Sequence, residues 1–160
     1  MSKLDITIAE AQPDDAGELL TLQRAAFLHD AQLYGDPFLP SLVQTVDDLR
    51  AEILARDRIV IVARIGARVV GSVRSHQIDR TAHITRLMTA PDLEGHGIGG
   101  RLLADIEQRL MAQVDRFQLG TGAESTDNIA MYARRGYVEC ERRTDPAGIV
   151  IVMMTKPAGT

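Results

Sequence analysis

The chain has 160 residues, a formal net charge of −4, one cysteine and no Trp; 45% of its residues are apolar and 25% charged. This is the size and balance of one ordinary globular domain, 1–160, and it excludes a disordered or fibrous chain. A lone Cys140 forms no internal disulfide, and the mixed charges leave a nucleic-acid role without electrostatic support. No apolar run suffices to cross a bilayer, and Met1-Ser2-Lys3-Leu4-Asp5 lacks the apolar core of a secretory signal. The expectation is a cytoplasmic protein with no nucleic-acid and no membrane partner.

Taken in chain order, Ile6-Thr7-Ile8-Ala9-Glu10 alternates as a strand does. Pro13 suits a first helical turn, and Leu19, Leu20, Leu22, Ala26 and Phe27 follow at helical spacing. Tyr34-Gly35-Asp36-Pro37-Phe38-Leu39-Pro40 reads as a loop between two helices, unusually apolar for one exposed only to water. A second helix is expected near Thr45, where Asp48 three residues on makes an approximate capping box. Strands follow at Ile59–Ala63 and from Val69 towards Ile78. Asp79-Arg80 is a two-residue turn into a strand over Ala82–Thr89, giving an antiparallel hairpin. A helix is expected over Ile98–Val114 with one apolar stripe, Ile98, Leu102, Leu103, Ile106 and Leu110. Then come a strand at Phe117–Leu119, a short helix over Asp127–Arg135 stopped by Gly136, and strands at Tyr137–Glu141 and Ile149–Met154. The order β-α-α-β-β-β-α-β-α-β-β predicts an α/β fold, a mixed sheet with helices on its faces.

The most informative stretch runs from Thr89 to Arg101. Between a strand and an amphipathic helix stand Gly95, Gly97, Gly99 and Gly100. Glycines let a ligand approach the backbone, and the first amides of a helix have no intrahelical partner, so together they suit phosphate oxygens. Arg101 in the first turn adds a candidate cation, and His96 sits within the loop facing solvent. Neither the Walker pattern nor the dinucleotide fingerprint fits this spacing. The alternative is a glycine-rich turn without a ligand.

This loop, with Pro91, Gly97 and Gly99, resembles the acetyl-CoA loop of the GNAT superfamily of N-acetyltransferases, although Glu94 stands where that family carries Gln or Arg. Asn128-Ile129-Ala130-Met131-Tyr132-Ala133-Arg134-Arg135-Gly136-Tyr137 resembles the family's second signature, and the order of elements matches over nearly the whole chain. The resemblance implies a mostly antiparallel mixed sheet splayed between strands 4 and 5, with the cofactor in the gap. It implies that Leu87, Met88 and Thr89 hold the thioester and pantetheine arm through their backbones. The amides of Gly95, His96, Gly97, Ile98, Gly99 and Gly100 would hold the pyrophosphate, with Arg101 adding a cationic contact. Ser125 stands where the family often has an Asn on the pantetheine arm; its other reading is a helix cap.

The implied activity is transfer of the acetyl group of acetyl-CoA to a primary amine by direct attack in a ternary complex, with no metal and no covalent intermediate. By the resemblance, Tyr132 is the general acid; otherwise it is a core aromatic. His83 lies where some members carry a base, and a two-residue turn sets it opposite His76 as a candidate proton relay; otherwise both are exposed strand histidines. The acceptor, a small-molecule or peptide amine, is expected against the first two helices and their loop. There Asp30 and Asp36 would hold a cationic amine, and Tyr34 and Phe38 would wall the pocket. The competing reading of those residues is a solvated loop. Cys140 reads as a small buried hydrophobe. A catalytically inactive CoA-binding or interaction domain on the same fold is the alternative function, and a homodimer is compatible with either.

Overall fold

A computed structural model of the chain describes residues 4–159. The alternating N-terminal segment forms β1 (Thr7–Glu10), and Pro13–Asp15 makes a 3-10 turn that leads directly into α1 (Ala16–Tyr34). Gly35, at φ 63°, ends α1 in the left-handed conformation. The expected loop stops short of its predicted end. Pro40 opens a further turn of helix, α2 (Pro40–Val43), because its fixed φ and missing N–H suit a first helical position. Thr45 then caps α3 (Val46–Leu54), its Oγ1 accepting the Asp48 N–H at 3.1 Å.

The next three strands are β2 (Arg58–Ile65), β3 (Arg68–Ile78) and β4 (Thr81–Thr89). β3 and β4 are joined by the two-residue turn the sequence predicts, which sets His76 opposite His83. The helix after β4 is α4 (Ile98–Leu110), and its whole predicted stripe is buried. It ends short of Val114 because the chain turns away to β5 (Arg116–Gly122), pinned by the Asp115 N–H donating to the Arg80 carbonyl at 2.6 Å. Helix α5 (Thr126–Arg134), β6 (Val138–Thr144) and β7 (Val150–Pro157) complete the chain.

The seven strands form one sheet in the order β1-β2-β3-β4-β5-β7-β6. Every pairing is antiparallel except β4 with β5. Helices cover both faces. On β3, Gly71 lies under Ile98 and Leu102 of α4, whereas Arg74, three residues on and so on the opposite face, bonds to Gln23 of α1 and Glu52 of α3. Cys140 departs from expectation. It is exposed on the edge strand β6, where no second layer covers it.

Candidate active site

The parallel pair β4–β5 is short. Only Thr81, Ala82 and His83 face Arg116, Phe117 and Gln118. Beyond these rungs the strands part. β5 keeps its other edge on β7 through Gly122, so the edge of β4 that faces the gap, from Ile84 to Thr89, has no ladder partner. β4 is also bulged there: Arg86 and Leu87 together oppose Val73, and Arg86 takes φ 54°. Two joined cavities of about 370 and 790 Å3 open along the split. Phe27, Asp30, Leu87, Asn128 and Tyr132 line both.

The larger cavity holds the glycine-rich turn. Gly97 caps α4 at φ 78°, a conformation that disfavours any side chain. The first helical bond runs from the Arg101 N–H to the Gly97 carbonyl, so the amides of Ile98, Gly99 and Gly100 have no partner within the helix. Met88 and Ile98 are buried in the core and also line the cavity. Gly71 lets α4 approach this closely, since a Cβ there would lie 2.9 Å from both Ile98 Cγ2 and Leu102 Cδ1. A cleft with an unpartnered strand edge on one side and free helix-terminal amides at one end fits an extended ligand that carries phosphates.

A family model described as the acetyltransferase (GNAT) domain matches residues 27–158. The chain belongs to the GNAT acetyltransferase family. No curated protein matches it significantly. Among solved structures, the ribosomal-protein-S18-alanine N-acetyltransferase of Escherichia coli superposes with a TM-score of 0.80 at 16% identity, over 97% of this chain and 95% of that one. The PaiA N-acetyltransferase of Thermoplasma acidophilum, in complex with coenzyme A, gives 0.81 at 18% identity, over 96% and 99%. The putative acetyltransferase YncA of Salmonella typhimurium, with acetyl-CoA, gives 0.77 at 15%, over 96% and 94%. At these identities the likeness is one of fold.

In this GNAT domain Tyr132 is one of the five residues that line both cavities. Of the three tyrosines, Tyr34 bonds to Ser125 and Tyr137 to Glu107, while the Tyr132 hydroxyl has no side-chain partner among the described residues. Burial first, and then the charge of Asp30, pushes its pKa up to about 12, so it keeps its proton at neutral pH. Asp30 lines both cavities from α1, and burial raises its carboxyl above the ordinary range against the opposing effect of His29. Asn128, one helical turn before Tyr132 on α5, donates from Nδ2 to Thr121 Oγ1 at 3.3 Å.

Several expected site residues lie elsewhere. His83 sits at the last β4–β5 rung but lines neither cavity; burial, then His76, Arg116 and Arg143, lower its pKa, so it is neutral at pH 7. His76, opposite it, pairs through Nε2 with Asp57 at 3.1 Å. The Arg101 side chain reaches instead to the Ile6 carbonyl, 3.5 Å off, in the segment just before β1. His96 is exposed outside the cavity lining. Asp36 folds back onto the Phe38 N–H at 2.9 Å, and Phe38 is 76% exposed, so the left-handed turn at Gly35 carries both away from the cleft. Ser125 makes no cap bond; its hydroxyl is taken by Tyr34.

Leu87, Met88, Thr89, the four loop glycines, Ile98, Ser125, Asp30 and Tyr34 do line the cleft. So does Glu94, exposed at the rim, with Arg134 on the same cavity wall. Arg86, Asn128 and Arg134 escaped the sequence reading as site residues. Asn128 was detectable, being four residues before Tyr132 on one helix face; Arg86 was not, because only the bulge turns it into the cavity. Among the described residues, no cluster of three His, Cys, Asp or Glu is placed to hold a metal ion, and no helix is long and apolar enough to cross a membrane.

Proposed function

We propose that this chain is an N-acetyltransferase that moves the acetyl group of acetyl-CoA to a primary amine by direct attack in a ternary complex. The observation that carries this reading is the unpartnered hydroxyl of Tyr132, a residue that lines both cavities. The larger cavity suits the cofactor: the unpaired edge of β4 matches an extended amide-bearing arm, and the amides of Ile98, Gly99 and Gly100 match its phosphates. When bound, acetyl-CoA supplies the activated acyl group. The smaller cavity is left for the acceptor, a small-molecule or peptide amine.

The chain's own groups divide the work. Asp30 holds the incoming ammonium and takes the proton it must lose before its lone pair can attack. The split holds amine and thioester side by side, which removes most of the entropic barrier to their meeting. Tyr132 donates its proton to the departing sulfur and recovers one from solvent. His83 has no direct role in this scheme. The cytoplasm is the compartment that fits a single exposed thiol, and dimerisation is left to a measurement of mass in solution.

The first test is a thermal shift with acetyl-CoA, CoA, ATP and NADH, taken one at a time. A ligand at about 100 times its Kd stabilises the native state by about 2.7 kcal/mol, roughly 5–10 °C in Tm for a domain of this size. A rise with acetyl-CoA and CoA alone supports the reading. A rise only with ATP or NADH removes it. Release of free thiol in the presence of amines then measures turnover.

A further inference from the structure

The smaller cavity contains a cation that the acetyl-transfer chemistry does not use. Arg86 lines it, together with Ser41 of α2, Thr85, and Asp145 and Ile149 of the β6–β7 turn. The residue occupies the first position of the β4 bulge at φ 54°, a backbone state that L side chains rarely adopt and glycine usually fills. Holding an arginine there costs backbone strain, and such strain persists where the surrounding structure enforces it.

The guanidinium makes no ion pair among the described residues, although the charge of Glu52 partly offsets its burial. Its Nε is buried without any hydrogen-bond partner, and no carboxylate among the described residues lies within ion-pair distance of it. The neighbouring acid, Glu52, is already engaged: it accepts from Arg74 at 2.8 Å and from Arg58 at 3.4 Å. Gln44 and Gln23 also serve Arg74. One carboxylate thus faces three guanidinium groups. Two further acids border the cavity. Asp145 spends one oxygen on the Ala147 and Ile149 amides, both at 2.9 Å, and Asp30 stands at the Tyr132 end.

A guanidinium is always charged, and its planar fork matches a carboxylate with two parallel hydrogen bonds. A half-buried cation without a hydrogen-bonded partner is costly, and a ligand that supplies one removes that cost. We infer that Arg86 is a specificity residue for the acceptor, and that the acceptor is a small amino acid-like molecule whose carboxylate docks on Arg86 while its amine faces Asp30 and Tyr132. The inference rests on the acetyl-transfer reading for the amine, but the carboxylate site stands on Arg86 itself. A cavity of about 370 Å3 suits a molecule of this size.

The experiment uses the full chain and product-like probes: N-acetylglycine, N-acetylalanine, N-acetylleucine and N-acetylglutamate, each beside its primary carboxamide. Binding is followed through the nitrogen-15 Nε–H resonance of Arg86, assigned by its loss in Arg86→Gln. The expected result is that at least one carboxylate moves this resonance and binds at least tenfold more tightly than its carboxamide. Arg86→Gln should bring the two within about twofold, and Arg86→Lys should restore part of the difference. Equal binding of every carboxylate and carboxamide pair by the wild type overturns the inference. So does movement of the resonance by inorganic phosphate where no carboxylate moves it, or a preference that survives Arg86→Gln. A thermal shift with acetyl-CoA on the same protein separates the two ideas. Cofactor binding without a carboxylate preference removes only the inference; the reverse removes only the acetyl-transfer reading.

Discussion

The Tyr34 hydroxyl lies 2.6 Å from Ser125 Oγ and ties the end of α1 to the turn before α5, joining the two walls of the cleft across 91 positions of sequence. Gly122 makes the contact possible, because a Cβ there would overlap the Tyr34 hydroxyl and ring. Gly122→Ala is therefore expected to expel Tyr34 and destabilise the fold by about 1–3 kcal/mol. In a Tyr34→Ala background the same change should be close to neutral, since the space is then empty. Chemical denaturation of the four proteins of this cycle checks it; an equal cost in both backgrounds would contradict the contact.

Gly71→Ala acts on the other cavity. The new methyl would press on Ile98 and Leu102 and on the Met88 carbonyl, 3.1 Å away, and none of these is the loose end of a flexible chain. The first turn of α4 should lift from the sheet. A loss of about 1–3 kcal/mol in stability is expected, with weakened CoA binding, because the displaced turn carries the free amides. Calorimetric titration with CoA measures the second effect, and unchanged affinity would show that α4 does not hold the phosphates.

Tyr132→Phe should leave CoA affinity intact and lower kcat by about a hundredfold or more. The same residue predicts a pH effect on stability. Its pKa rises from 10.0 unfolded to about 12 folded, so the native state holds its proton longer. The contribution is complete below pH 10 and is lost as pH rises through 12, amounting to about 3 kcal/mol. The wild type should lose stability over that window more steeply than Tyr132→Phe in urea titrations. Parallel curves would mean that the hydroxyl is not shielded from water.

Asp30→Asn should separate stability from activity. The folded carboxyl titrates above its ordinary 3.8, so its contribution to stability is present below that pH and lost as the group ionises. At neutral pH the ionised form is a mild burden, reduced by solvent on its exposed side. The amide should raise Tm by about 1–2 °C and cut kcat/KM for amines at least tenfold. A variant with full activity would remove Asp30 from the scheme.

The strand-turn-helix at the glycine loop, the buried stripe of α4, the β3–β4 hairpin with its His76–His83 register and the Tyr132 helix were all legible, because periodicity and turn chemistry act over a few neighbouring residues. The substrate side was less so. Asp36 and Phe38 belong to the right loop, yet one left-handed residue, Gly35, turns them outward, and Pro40 starts a helix that brings Ser41 to the cleft instead. His83 has the right chemistry on the right strand, but its rung is the one at which the split closes.

The sequence by itself determined the class of fold, the place of the glycine-rich turn and the candidate acid, since each is written in local spacing. Only the tertiary structure decided which side chains share the cleft. Side-chain direction along β4 reverses at the Arg86–Leu87 bulge, where two residues oppose Val73. The depth of the cleft depends on missing methyl groups at Gly71 and Gly122, whose neighbours come from α4 and α1. Contacts between residues so distant in the chain leave no periodic trace, because packing, not local propensity, selects them.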